Sequence, residues 1–222
     1  MSKPYSKRFP NESDEYRTAR NALLEEEMQL RAHIEHIAEK RKLLPKGGQL
    51  KEDYEFSGES GKVKFSELFS PDKNSLVVYS MMFDPADDVP CPLCTSIVDG
   101  LDGQAPHISD KVNFVVIAKA PIEKILHFSQ RRGWDKIRFL SSYHNAYNRD
   151  YHAEENGQQM PMLNVFEKND GQIYHYYGSE LLFAPAEKGQ DPRHVDLLWP
   201  LWNIFDLTPE GRGIDWYPKI SY

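Results

Sequence analysis

Cys91-Pro92-Leu93-Cys94 holds the only two cysteines of this 222-residue chain. A C-x-x-C pair suits thiol–disulfide exchange when one sulfur is exposed and ionised while the other waits close by, sheltered. The pair follows an apolar, strand-like run, Leu76-Val77-Val78-Tyr79-Ser80-Met81-Met82-Phe83, and a turn-rich stretch from Asp84 to Pro90. The spacing predicts a helix that starts at the cysteines. With Cys91 as N-cap, Pro92 takes the first helical position, where a missing N–H costs nothing. Cys94, Ile97, Val98 and Leu101 then recur as one apolar face. Cys94 is thereby turned toward the core and Cys91 toward the helix mouth. The unpaired N–H groups and dipole of the first turn stabilise a thiolate there, bringing a pKa of ~8.5 into the range of roughly 3.5–7.5. Cys91 reads as the nucleophile and Cys94 as the resolving thiol. Asp84, Asp87 and Asp88, just upstream, could accept the Cys94 proton or simply be solvated turn acids.

The same pair could instead be half of a metal site, or an inert pair. A structural zinc wants four ligands, usually from a second C-x-x-C or an H-x-x-x-H. Neither is present, and the eight histidines are scattered, with His33 and His36 placed on a solvated helix face. Thiolates with a distant histidine could still hold copper. Dithiol chemistry itself needs no bound cofactor.

Composition narrows the partners. The chain is 40% hydrophobic and 27% charged, ordinary for a globular protein, and long enough to bury a sizeable core. A net charge of −7 argues against a nucleic-acid footprint. The polar start from Met1 to Pro10 has no apolar signal region, and no stretch approaches membrane-spanning length. These features lead us to expect a cytoplasmic chain with no membrane partner, in a compartment where a cycling disulfide is acceptable and a structural one is not.

The elements that must position the cysteines follow from periodicity. Asn11 to Leu44 is a charged helix with a stripe of Leu23, Leu30, Ile34 and Ile37, stopped by Pro45-Lys46-Gly47-Gly48. It reads as an N-terminal extension with its linker over residues 1–53. Its stripe should pack on its own chain, with a homodimer contact possible. From residue 54 to 222 strands and helices alternate. Lys62 to Phe65 is a short strand and Glu67-Leu68-Phe69 a turn of helix. Leu76 to Phe83 is a buried strand, followed by the cysteine helix and the strand Val112 to Ala118. A helix opens with Pro121 at its first position, and Ile137 to Leu140 is a strand. Leu163 to Glu167 and Gln172 to Tyr177 form a hairpin about Asp170-Gly171. Val195, Leu198, Trp199, Trp202 and Phe205 mark a last amphipathic helix, kinked at Pro200.

Parallel pairing early and antiparallel pairing late in one mixed sheet make an α/β, thioredoxin-like fold. In such folds a cis proline faces the cysteines just before the hairpin, and Met160-Pro161 stands there. Pro92, Leu93, Met160 and Pro161 are thus the expected substrate contacts. The polar stretch from Tyr143 to Gln159 reads as a long irregular loop, either a wall of the cysteine cleft or a mobile excursion.

Several ordered segments resemble the bacterial domain-of-unknown-function family 899, whose members are described as thioredoxin-like or dithiol–disulfide oxidoreductases. They are Leu43-Leu44-Pro45, Tyr79 through Pro85, the cysteine motif, Ala120 to Ile125, Arg132-Gly133-Trp134, Ser141-Ser142, Tyr147 to Asp150, and Asp206 to Arg212. The resemblance covers residues 12 to 212. It departs at Leu93, where members commonly carry Gly, and at Pro161 to Phe166, where the family pattern is Pro-Gly-x-Ser-x-Phe. It implies a fold and no substrate.

Three functions compete. The first is an intracellular thiol–disulfide oxidoreductase acting on a disulfide-containing protein or a small thiol substrate. The second is a peroxiredoxin-like peroxidase, which usually has Thr three residues before its cysteine and an Arg at the thiolate; here Asp88 holds that place and Thr95 comes after. The third is a non-catalytic protein that binds a metal or ligand through its aromatic-rich C-terminal half.

Overall fold

The apolar run ahead of the cysteines forms the centre of a sheet because its β-branched and aromatic residues are buried on both faces. This strand, β3 (Ser75–Met81), pairs parallel with β4 (Asn113–Ala118) on one side. On the other side it pairs antiparallel with β8 (Met162–Asn169). A computed structural model describes residues 7–191, 200, 207–208, 213 and 215–222. Among them the sheet has seven strands in the order β2-β1-β5-β4-β3-β8-β9. The hairpin β1 (Glu55–Gly58) and β2 (Gly61–Lys64) lies at one edge, beside β5 (Phe139–Ser141). At the other edge, β9 (Gln172–Gly178) pairs with β8 through a turn in which Asp170 and Gly171 both have positive φ. The fold is the thioredoxin-like mixed sheet flanked by helices, with a long N-terminal helix. No helix of the described residues is long and apolar enough to cross a membrane.

Two apolar cores sandwich the sheet, and the pleat sorts β3 between them. Tyr79 and Met81 join Phe83, Cys94, Val98, Ile125 and Phe128 on the face covered by α2 (Pro92–Lys111) and α3 (Ile122–Arg132). Leu76 and Val78 face the opposite way, among Tyr54, Phe56, Phe65, Tyr147 and Phe166. Helix α2 runs on through Pro106, which costs ~3 kcal/mol or more inside a helix. Burial of Val98, Leu101 and Ala105 on the sheet offsets this.

The chain forms two compact units, Met1–Pro45 and Lys46–Tyr222. In the first, α1 (Asp14–Lys42) is capped by the Ser13 side chain, which accepts from Tyr16 N–H at 3.1 Å. Glu12 and Arg17 pair closely over that first turn. In the second, residues 48–50 are bonded to β9: His175 N–H donates to Gly48 O at 2.8 Å and Leu50 N–H to Ile173 O at 2.7 Å. That contact shields a sheet edge that would otherwise offer open hydrogen-bonding groups.

Several expectations need correction. Strand β1 was not anticipated, and the helical turn near Glu67 is a 3-10 turn at Phe65–Leu68. Pro121 is the N-cap of α3 and not its first residue. The stretch from Tyr143 to Gln159 is not irregular. It holds a short helix, α4 (Tyr147–Asp150), and a small hairpin of β6 (Glu154–Glu155) and β7 (Gln158–Gln159). Met160–Pro161 is trans, there being no cis peptide among the described residues. The segment leading into β8 is held by the β6–β7 hairpin and by Met160 N–H, which donates to Ala153 O at 3.0 Å. The residues that mark the last amphipathic helix, Val195, Leu198, Trp199, Trp202 and Phe205, lie outside the described residues.

Candidate active site

Cys91 is the N-cap of α2, with φ −54° and ψ 129°, and Pro92 follows as the first helical residue. The Cys91 carbonyl accepts from both the backbone N–H and the hydroxyl of Thr95, each at 2.9 Å. Cys91 is half-buried, Pro92 exposed, Leu93 half-buried, and Cys94 is 1% exposed. The two thiols are free.

Their electrostatics are opposed. Cys94 S–H donates to the Cys91 sulfur, which is the largest influence on both groups. It holds the Cys91 thiol down at about 6, with further help from the N–H groups of Cys94 and Leu93 and against the cost of burial. The Cys91 side chain makes no cap hydrogen bond of ordinary geometry. The first-turn amides act on the charged sulfur. Cys94 is pushed well above the ordinary thiol range, first by giving its proton to Cys91 and then by burial. At neutral pH the outer sulfur is therefore a thiolate and the inner one a thiol.

Met82, the residue just after β3, holds the pair in register through its backbone. Met82 O accepts from Cys91 N–H at 3.0 Å, and Met82 N–H bonds the Cys94 sulfur. Tyr79, three residues back on β3, lies in the same buried cluster as Cys94, and its side chain favours the charged form of that sulfur. The connecting loop is pinned at several points. Asp87 N–H donates to Asp84 O at 3.1 Å and Lys124 Nζ to Pro85 O at 3.0 Å. Asp84 Oδ1 accepts from Ala86 N–H at 2.8 Å, and Asp84 Oδ2 from Gln159 Nε2 at 3.0 Å. Both Asp84 oxygens thus brace the loop, while Asp87 and Asp88 are exposed, so the solvated-acid reading fits the last two.

Met160 and Pro161 come alongside this arrangement. Ser80 pairs with Met162 in the β3–β8 ladder, and Gln159 Oε1 accepts from Phe83 N–H at 3.0 Å. The two residues between, both half-buried, therefore run beside Met81 and Met82. The hairpin β6–β7 is tied to the loop that precedes the nucleophile.

Tyr79, Met82 and Gln159 were not singled out by the sequence. Met82 acts through its backbone and Gln159 across 76 positions, which no local pattern reveals. No cluster of three or more His, Cys, Asp or Glu that could hold a metal occurs among the described residues. A groove of about 870 Å³ lies elsewhere, between the β1–β2 hairpin and α3, lined by Lys62, Glu123, His127, Trp134 and Arg138 among others. Neither cysteine lines it.

Solved structures resemble this one at low identity. Peroxidoxin BcpB from Mycobacterium tuberculosis is 18% identical, with 59% of this chain and 83% of that one covered at a TM-score of 0.45. An uncharacterized conserved protein from Geobacillus kaustophilus is 15% identical, covering 67% and 76% at 0.46. Thiol peroxidase from Chromobacterium violaceum is 10% identical, covering 61% and 75% at 0.45. Likeness at this level leaves the chemistry to be argued from the site. No curated protein matches the chain. The family described as bacterial protein of unknown function (DUF899) matches residues 6–222, nearly the whole length, and the chain belongs to that family.

Proposed function

We propose that this protein is a thiol–disulfide oxidoreductase that cycles the Cys91–Cys94 pair. The observation that carries the reading is the division of labour between the sulfurs: an accessible thiolate held at about 6 over a fully buried thiol hydrogen-bonded to it. The Cys91 thiolate attacks one sulfur of a substrate disulfide, R–S–S–R′. A Cys91–S–S–R bond forms, the substrate S–S bond breaks, and R′–S⁻ leaves with the electron pair. Cys94 then gives up its proton and attacks the Cys91 sulfur, closing the Cys91–Cys94 disulfide and expelling R–S⁻, and a departing thiolate takes up that proton. The substrate gains two electrons and the pair loses two; an external dithiol restores them. No bound cofactor enters, and the setting we infer is the reducing cytoplasm.

Pro92 and Leu93 beside the nucleophile, with Met160 and Pro161 along Met82, would contact the substrate. Leu93 would give the thiol an apolar flank suited to a protein or small-molecule disulfide.

The test is turnover of a peptide disulfide by pre-reduced protein at pH 7. Cys91→Ser should abolish the reaction, and Cys94→Ser should halt at a mixed disulfide that mass spectrometry captures. Peroxide consumption far faster than disulfide reduction would replace this reading with the peroxidase one. Stoichiometric metal with unreactive thiols in the purified protein would replace it with the binding one.

A further inference from the structure

We propose that the groove between the β1–β2 hairpin and α3 receives an extended polypeptide segment of a protein partner. The segment pairs as a strand with the open edge of β5 at Phe139 and lays a basic side chain between Glu59 and Glu123. The site is separate from the cysteines and goes beyond the dithiol reading. Strand β5 runs parallel to β4 with Phe139 opposite Val116, and the Arg138 carbonyl accepts from Val116 N–H at 3.0 Å. Successive residues of a strand aim their peptide groups to opposite sides. The N–H and C=O of Phe139 therefore point away from β4, toward β1. The β1–β5 ladder holds a single pair, Ser57 with Ser141. Continued antiparallel, it would bring Glu59 opposite Phe139. The chain turns back before that, with Gly58 already paired to Gly61 across the hairpin. Phe139 is left with no strand partner on that side among the described residues. It lines the groove and is 4% exposed.

An open strand edge inside a groove is the template that strand addition uses, with main-chain bonds giving attraction and alternate side chains giving selectivity. The groove, about 870 Å³, has room for several residues of extended chain. Its floor is apolar, from the buried Trp134, Ile137 and Phe139. Its charges choose the segment. Lys62 is paired with Glu55 at 2.5 Å and Asp135 with Lys136 at 2.6 Å. Glu59 on the hairpin and Glu123 on α3 stand on facing walls, both exposed and neither in an ion pair among the described residues. Arg138 lines the groove and is likewise unpaired. Two carboxylates against that guanidinium leave the walls acidic, so a basic side chain complements them.

The experiment uses the full chain with Cys91→Ser/Cys94→Ser, so that no covalent exchange contributes. The probe is a short capped peptide of alternating Val and Thr with a central Lys. In the free protein the Phe139 amide should exchange with solvent faster than that of Leu140, which faces β4. With the peptide at about ten times its dissociation constant, exchange at Phe139 should slow roughly ten-fold. Replacing the peptide's Lys by Glu, or introducing Glu59→Gln/Glu123→Gln, should weaken binding about two- to five-fold, the scale of an exposed ion pair. The same peptide N-methylated at every amide should not bind. Absence of binding, or binding that leaves Phe139 unprotected, overturns the proposal. So does equal binding of the N-methylated peptide, or equal affinity for the Lys and Glu peptides. Protection of Phe139 that grows with protein concentration and no peptide would assign the edge to a second copy, which overturns it too. Disulfide turnover by the wild-type protein is read separately, so the dithiol reading and this one fail independently.

Discussion

The buried thiol of Cys94 donates to the sulfur of Cys91, and this one hydrogen bond moves the two groups in opposite directions. The helix start alone would favour a thiolate at Cys91, since first-turn amides attract negative charge. The larger influence comes from within the pair, so the resolving residue also prepares the nucleophile.

Alkylation of Cys91 followed against pH should therefore show a midpoint near 6 in the reduced protein, against ~8.5 for an ordinary thiol. Cys94→Ala removes the donor and leaves only the amides. Its midpoint should rise by a unit or more toward the ordinary value. A wild-type midpoint at ~8.5 would contradict the electrostatics described here.

Reduced-protein stability should depend on pH through the same pair. Cys91 titrates at about 6 when folded and near ~8.5 when unfolded. Between those values the unfolded chain binds more protons, so stability rises with pH. Cys94 has its folded value raised, so its contribution is intact below ~8.5 and is lost as pH climbs beyond it. Melting temperatures of reduced wild type, taken relative to the Cys91→Ala/Cys94→Ala double variant, should thus increase from pH 6 to 8. A flat difference over that window would sink the prediction.

Gln159 bridges Phe83 N–H and the Asp84 carboxylate. Gln159→Leu leaves that N–H without a partner beside a fully buried ring, and should cost ~1–3 kcal/mol in urea unfolding. Gln158→Leu, one position away and exposed, should stay within about 0.5 kcal/mol of wild type. Equal effects of the two substitutions would refute the bridge.

Gly47 and Gly48 separate cleanly by the space around them. A Cβ on Gly47 would lie 2.1 Å from His175 O, whereas one on Gly48 meets nothing within 4 Å. Gly47→Ala must push the segment covering β9 outward, at a cost of ~1–3 kcal/mol. Exchange of the His175 amide, now bonded to Gly48 O, should accelerate in Gly47→Ala and not in Gly48→Ala.

Local rules carried the sequence reading as far as neighbouring residues decide the outcome. Cys91 as N-cap, Pro92 as the first helical residue and Cys94 on the buried face follow from capping and a period of 3.6. The Asp170-Gly171 turn follows from its tolerance of positive φ. Strands β6 and β7, two residues each, are too short for alternation to be recognised, and β1 is defined by its pairing with β2 and β5. The trans bond before Pro161 depended on how β6–β7 approaches β8, a matter of geometry between elements.

Sequence by itself determined which two sulfurs could react and which of them faces inward, because helix caps and apolar periodicity act within a few residues. Tertiary structure alone decided what surrounds them: the Met82 backbone meeting both cysteines, Tyr79 buried in the same core as Cys94, and Gln159 holding the loop from 76 positions away. Those contacts exist because β3, α2 and the β6–β7 hairpin meet at one end of the sheet, and hydrogen bonds act across a few ångströms of space whatever the separation along the chain.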